Sequence, residues 1–144
     1  MTFESEIIIE KPVQTVFEFT TRFENNIQWQ TGLLESIQTS PGPIRSGATY
    51  RCLNRFFGRE IETQGVVTDY EPHSKCTYSI ESGPVAGRSS FEFEPVTGGT
   101  RVVFSGDADL SGFSFAKMLV VPRIKKQIAN DLAALKKVLE NHAV

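Results

Sequence analysis

Residues 11–30 read KPVQTVFEFTTRFENNIQWQ. Pro12 opens a helix at its first turn, where a missing N–H does no harm. Val13, Val16, Phe17 and Thr20 then fall on one helical face. Asn25 or Asn26 is placed to cap a second short helix carrying Ile27, Trp29 and Gln30, which Gly32 ends. Just upstream, Phe3, Ser5, Ile7 and Ile9 alternate with Glu4, Glu6, Ile8 and Glu10, the period of a strand with one buried face. A strand that leads at once into two short helices, with the only Trp on the second, needs an apolar partner beneath it. That partner is either plain core or a ligand.

Downstream the chain reads as strands and turns. LLESIQTS (33–40), ATYRCLNR (48–55), REIETQGVVTDY (59–70), KCTYSIE (75–81), RSSFEFEP (88–95) and TRVVFSGDADL (100–110) are separated by PGPIRSG, FFG, EPHS, SGPVAG and VTGG. Alternation puts Ala48, Tyr50 and Cys52 on one face, and likewise Ile61, Thr63, Gly65 and Val67. Cys76, Tyr78 and Ile80 follow, then Phe91 and Phe93, then Val102, Phe104 and Leu110. Gly65, in mid-strand, marks a bulge or a sharp curve. The tail is one long amphipathic helix with Ile124, Ile128, Leu132, Leu135 and Leu139 in a stripe. Pro122 makes the segment before it a separate turn or a kinked entry into that helix. One strand, two short helices, six strands in a meander and a long helix give an α+β fold.

The chain has 144 residues and reads as one domain, 1–144, able to bury roughly 68–70% of its unfolded surface without a metal or disulfide. A net charge of −2 argues against a nucleic-acid footprint, which needs a clustered basic face. Arg123, Lys125 and Lys126 read as the wet side of the last helix. Cys52 and Cys76 lack CxxC or His-containing metal spacing, so they read as thiols rather than zinc ligands, with a disulfide between them left open. No secretory apolar run and no stretch of membrane-helix length shows. The expectation is a soluble, cytoplasmic protein with no integral membrane segment. No phosphate loop, dinucleotide fingerprint or GxSxG is present, so no cofactor is expected. Phe is abundant, 11 against 3 Tyr and 1 Trp, which suits a large core or a greasy cavity.

The stretches IIIEKPVQTVFEFTTRFENNIQWQ, SGATYR, VTDYEPHSKCTY, FEFEPVTGGTRVVF and DLAALKKVLE, taken in order, resemble the helix-grip fold of the START-like superfamily. That superfamily includes the birch-pollen-allergen-like proteins and the SRPBCC or polyketide cyclase/dehydrase-like proteins. The resemblance spans nearly the whole chain. It implies a curved seven-stranded antiparallel sheet wrapped around the C-terminal helix, with two short helices between strands 1 and 2. An apolar cavity between sheet and helix is part of that fold, and members bind lipids, sterols, polyketides or other hydrophobic molecules. Some are cyclases or dehydratases, so the fold implies a pocket without naming a reaction.

In an antiparallel meander alternate turns share an end. The FFG turn, the SGPVAG turn and the exit SGFSFAKM therefore gather Phe56, Phe57, Pro84, Val85, Phe113, Phe115 and Met118 at one end, flanked by Arg59 and Arg88. Apolar loop tips read either as a greasy mouth or as plugs and a homodimer contact. The pocket itself is expected to be lined by Trp29, Tyr50, Cys52, Phe57, Tyr78, Phe91, Phe93, Phe104, Phe115, Met118, Leu119 and Ile128. His73 and His142 read as solvated. Asp107 and Asp109 fall on the outer face, and only a bulge near Gly106 would turn one inward as a base. No catalytic residue is assigned. The leading expectation is binding or transport of a hydrophobic small molecule, a lipid, polyketide or similar. The rivals are a polyketide cyclase/dehydratase-type enzyme and a homodimeric module whose core is filled by its own Phe side chains.

Overall fold

Strand β1 (Thr2–Ile9) alternates as its sequence dictates: Phe3, Ser5, Ile7 and Ile9 face inward and the glutamates outward. The computed structural model describes residues 1–56, 58–82, 86–109 and 117–141, with the backbone alone at Phe56, Lys117 and Met118. Helix α1 (Val13–Thr21) follows Pro12 and buries Val16, Phe17, Thr20 and Thr21. Strands β2 (Leu33–Gln38), β3 (Thr49–Phe56), β4 (Arg59–Glu71), β5 (Lys75–Ser82), β6 (Ala86–Val96) and β7 (Gly99–Asp109) then form a meander. β1 pairs with β7, so the seven-stranded sheet runs β1-β7-β6-β5-β4-β3-β2, every pair antiparallel. Helix α2 (Lys117–Glu140) closes the chain. This is the helix-grip architecture.

Three irregularities curve the sheet: register shifts at Leu33/Glu35 in β2 and at Gln64/Gly65 and Val67/Asp69 in β4. Bulges strengthen local twist and bend the bulged strand. On the concave side one core joins Ile9, Phe17, Trp29, Phe91, Phe93 and Val102 to Leu132, Leu135 and Leu139 of α2. On the convex side Arg51 pairs with Glu35 and Glu62, and Arg101 with Glu6 and Glu94. These pairs are partly exposed and contribute little to stability.

The structure corrects the sequence reading in several places. The second short helix is a 3₁₀ helix from Phe23 to Gln28, beginning before either asparagine. Asn25 does not cap it; its Nδ2 donates instead to the Phe19 carbonyl near the end of α1, at 3.2 Å. Three residues per turn put Phe23, Asn26 and Trp29 on one face, so Ile27, expected alongside Trp29, is left 53% exposed. Pro122 lies inside helix α2, Lys117–Glu140, so among the described residues the segment before it is helix rather than a separate turn, and residues 113–116 lie outside the described residues. Cys52 and Cys76 are both free. They sit on β3 and β5 with β4 between, a separation of roughly 9–10 Å across two strand spacings, beyond disulfide reach. Leu110 lies outside the described residues.

Polar clamps fix α2. Lys136 Nζ donates to the Ile8 carbonyl at 2.8 Å, and the Glu10 N–H donates to Glu140 Oε2 at 2.8 Å. Asp131, 8% exposed, accepts through Oδ1 from the Thr31 N–H at 3.0 Å and from Thr31 Oγ1 at 2.6 Å. Burial raises this carboxyl above its ordinary value, outweighing the lowering effect of Thr31 and Gln127. The folded state therefore holds the proton more tightly than the unfolded chain. That stabilisation is full below the unfolded value and is lost as pH rises through the folded one. Asp131→Asn keeps an acceptor for Thr31 without the buried charge. Near neutral pH it is expected to raise Tm by about 2–4 °C, the shift for roughly 1 kcal/mol at this size. Thermal unfolding in acid, below the ordinary carboxylate range, should show no difference from the wild type.

Candidate functional site

The concave face is not filled. A cavity of about 170 Å³ lies between the sheet and the 3₁₀ helix. Its floor alternates along each strand: Tyr50, Cys52 and Asn54 on β3, Thr63 on β4, Tyr78 and Ile80 on β5, Ser89 and Phe91 on β6, and Phe104 on β7. Leu33 closes one side, and Phe23, Asn26 and Gln30 form the roof. The aromatic walls brace one another. Phe23 stacks on Tyr50 at 4.7 Å, Tyr50 meets Tyr78 edge-on at 5.9 Å, and Phe91 stacks on Phe104 at 4.3 Å. Such ring pairs add to plain burial and hold the wall geometry.

Gly65 makes room for this arrangement. A Cβ there would collide with the Tyr50 hydroxyl end and with the Ser79 carbonyl. The bare backbone of β4 therefore lets the hydroxyl end of the Tyr50 ring pack directly against it.

No acid, base or permanent charge faces the cavity among its described lining residues. Burial pushes the Tyr50 hydroxyl far up, and burial also raises the Tyr78 hydroxyl, bonded to Cys76, well above its ordinary value. Both stay protonated and act as donors rather than bases. The Cys52 thiol is raised by burial and donates to Ser36 Oγ at 3.6 Å. Burial pushes Cys76 up to about 11. Neither is a ready nucleophile, since reactivity needs the thiolate. Asn26 Oδ1 in the roof and Trp29 Nε1 behind the cavity are buried without a hydrogen-bond partner among the described residues. Each such group costs about 1–3 kcal/mol.

Of the residues expected to line a pocket, Tyr50, Cys52, Tyr78, Phe91 and Phe104 meet around this cavity. Trp29 stands behind it, its ring 6.1 Å from Phe91. Phe93 belongs to the core against Phe17, at 5.0 Å. Leu119 is 75% exposed: it is five residues from Ile124, off the stripe that the buried Val120 continues. Ile128 lies in a different recess, between α2 and β1. None of the cavity's described lining residues comes from α2. Phe57 and Phe115 lie outside the described residues, as do the Met118 side chain and the loop tips read as a mouth. Phe23, Asn26 and Gln30 escape the sequence reading of the pocket; a period of three in place of 3.6 across FENNIQW would find the first two. Asp107 and Asp109 face outward, and β6 and β7 pair without a register break, so no bulge at Gly106 turns either inward. Among the described residues no group of three or more His, Cys, Asp or Glu is placed to hold a metal. No described helix is long and apolar enough to cross a membrane.

Residues 1–140 match the family described as polyketide cyclase / dehydrase and lipid transport. No curated protein matches the sequence. Solved structures share the fold. A protein from Thermus thermophilus superposes with a TM-score of 0.85 at 13% identity, covering 100% of both chains. Ara h 8.0201 gives 0.73 at 13% identity, over 99% of each chain. The Zhui aromatase/cyclase from a Streptomyces species gives 0.78 at 12%, over 97% of this chain and 93% of that one.

Proposed function

The chain belongs to the polyketide cyclase / dehydrase and lipid transport family, and from that premise we propose that it binds a small, neutral, ring-bearing molecule in the cavity beneath the 3₁₀ helix. The aromatic cavity of about 170 Å³ carries this reading. A dry cavity of about 150 Å³ accommodates benzene, so this one suits a single ring with one small polar group. The amides of Asn26, Gln30 and Asn54 and the two tyrosine hydroxyls supply hydrogen bonds without charge. A carboxylate would enter without a counter-charge and lose its hydration. A binding or carrying role suits these groups better than proton transfer, because the raised tyrosines and thiols do not ionise at ordinary pH.

The test is native mass spectrometry and calorimetric titration with benzene, phenol, indole and benzoate. Phenol and indole are expected to bind most tightly and benzoate least. Tightest binding of benzoate, or no binding of any of the four, would overturn the reading. Asn26→Leu sharpens it. Replacing an orphaned buried acceptor with an apolar group is expected to stabilise the free protein by about 1 kcal/mol. The same change should erase the preference for phenol over benzene.

A further inference from the structure

A second recess, of about 580 Å³, opens between the first half of β1 and the middle of α2. It lies away from the end of β1 where α2 is held, through Lys136 to Ile8 and Glu140 to Glu10. Phe3, Ile128 and Ala129 give the recess an apolar part, and Thr2, Glu4, Ser5 and Lys125 complete its lining.

The recess and the aromatic cavity are separated by two touching rings, Phe3 on the recess side and Phe104 on the cavity side. Ser5, in the recess, is the cross-strand partner of Phe104, in the cavity wall. Phe3 packs against Phe104 with ring centroids 5.2 Å apart. The tip of the Phe3 ring rests on bare backbone, since a Cβ on Gly106 would stand only 3.0 Å from Phe3 Cζ. Phe3 is half-buried and its strand is pinned: the Met1 amine donates to the Ala108 carbonyl at 2.9 Å and the Ala108 N–H to the Met1 carbonyl at 2.8 Å. Movement at this point therefore belongs to the side chain.

We infer that Phe3, packed on Phe104, is the movable part of a partition between two parts of one ligand site, and that the ligand is a ring carrying a linear apolar tail. The ring and its polar group occupy the aromatic cavity. The tail passes Phe3 and lies on Phe3, Ile128 and Ala129 between β1 and α2. This rests on the ring-binding reading above and extends it to a longer ligand than the cavity alone admits.

The test is a series of para-alkylphenols with tails from methyl to hexyl, titrated into the wild type, Ala129→Trp and Phe3→Ala. Ala129 is exposed, so a tryptophan there fills the recess without touching the core, and an unchanged Tm checks this. A fully buried methylene is worth about fourfold in affinity; in this open recess the wild type should gain about two- to threefold per methylene. Ala129→Trp should bind phenol like the wild type while its series goes flat. Phe3→Ala should favour the longest tails further. Parallel series in wild type and Ala129→Trp, or affinity that falls with each methylene while phenol still binds, would overturn the partition and leave the ring site standing. Absence of binding across the whole series, phenol included, would remove both.

Discussion

Replacing Phe17 with alanine is expected to lower the free energy of unfolding by about 3–5 kcal/mol, the range for deleting a fully buried aromatic ring. The ring is 1% exposed. It meets Phe93 at 5.0 Å, Tyr70 at 5.5 Å and the imidazole of His73 at 5.6 Å. These partners lie on β6, at the end of β4 and in the turn after it, so one side chain fastens α1 across the sheet. The backbone around it is hydrogen-bonded strand and helix, which leaves the site little freedom to collapse over the space created. Urea denaturation measures the loss. Phe104→Ala is the informative comparison. That ring is half-buried and already borders open space, so its removal should cost no more than about half as much. The functional effects should run the other way. Phe17→Ala leaves the cavity walls in place and should keep phenol binding where the protein remains folded, while Phe104→Ala removes a wall. A loss below about 2 kcal/mol for Phe17→Ala would mean that α1 repacks and is not fastened by this ring.

The contrast between these two phenylalanines also marks what the sequence can and cannot convey. Both alternate inward or lie on an apolar helical face, and nothing in local pattern separates them. Period two places Tyr50 with Cys52, and Phe91 with Phe93, because a strand must put alternate side chains on one face. Whether that face meets another side chain or empty space depends on how far the sheet curves. The bulges at Gly65 and at Val67/Asp69 and the glycines that admit close backbone approach set that curvature. Only Gly65 announces itself, as a glycine in mid-strand. Ile128 shows the same limit on the helix. The stripe tells which residues face the sheet, but not that Ile128 lines a recess of its own beside β1. The roof is hidden for a simpler reason: FENNIQW winds with three residues per turn, which exchanges Ile27 for Phe23 and Asn26 on the inward face.

The other large effect is expected at Gly65, from adding a single methyl group. Gly65→Ala should cost about 3 kcal/mol, the upper end for forcing a methyl into a packed site, and should abolish phenol binding. The new Cβ meets two obstacles of different kinds. The Ser79 carbonyl belongs to the β4–β5 ladder, where Gly65 pairs with Ile80 and Val66 with Ser79, and cannot move without breaking that ladder. The end of the Tyr50 ring can move, but it stacks on Phe23 and stands edge-on to Tyr78, so the open direction is the cavity that it lines. The methyl group is therefore expected to be accommodated by pushing Tyr50 into the space that a ligand would occupy. A double-mutant cycle separates the two obstacles, because residues in contact give non-additive effects. Tyr50→Leu shortens the side chain, so Gly65→Ala should cost about 1 kcal/mol less in that background, with the remainder assigned to the Ser79 carbonyl. Equal costs in both backgrounds would place the whole penalty on the backbone and predict that phenol binding survives in Gly65→Ala. In that event the position of the Tyr50 ring would follow from its stacking on Phe23 rather than from the absent side chain at Gly65.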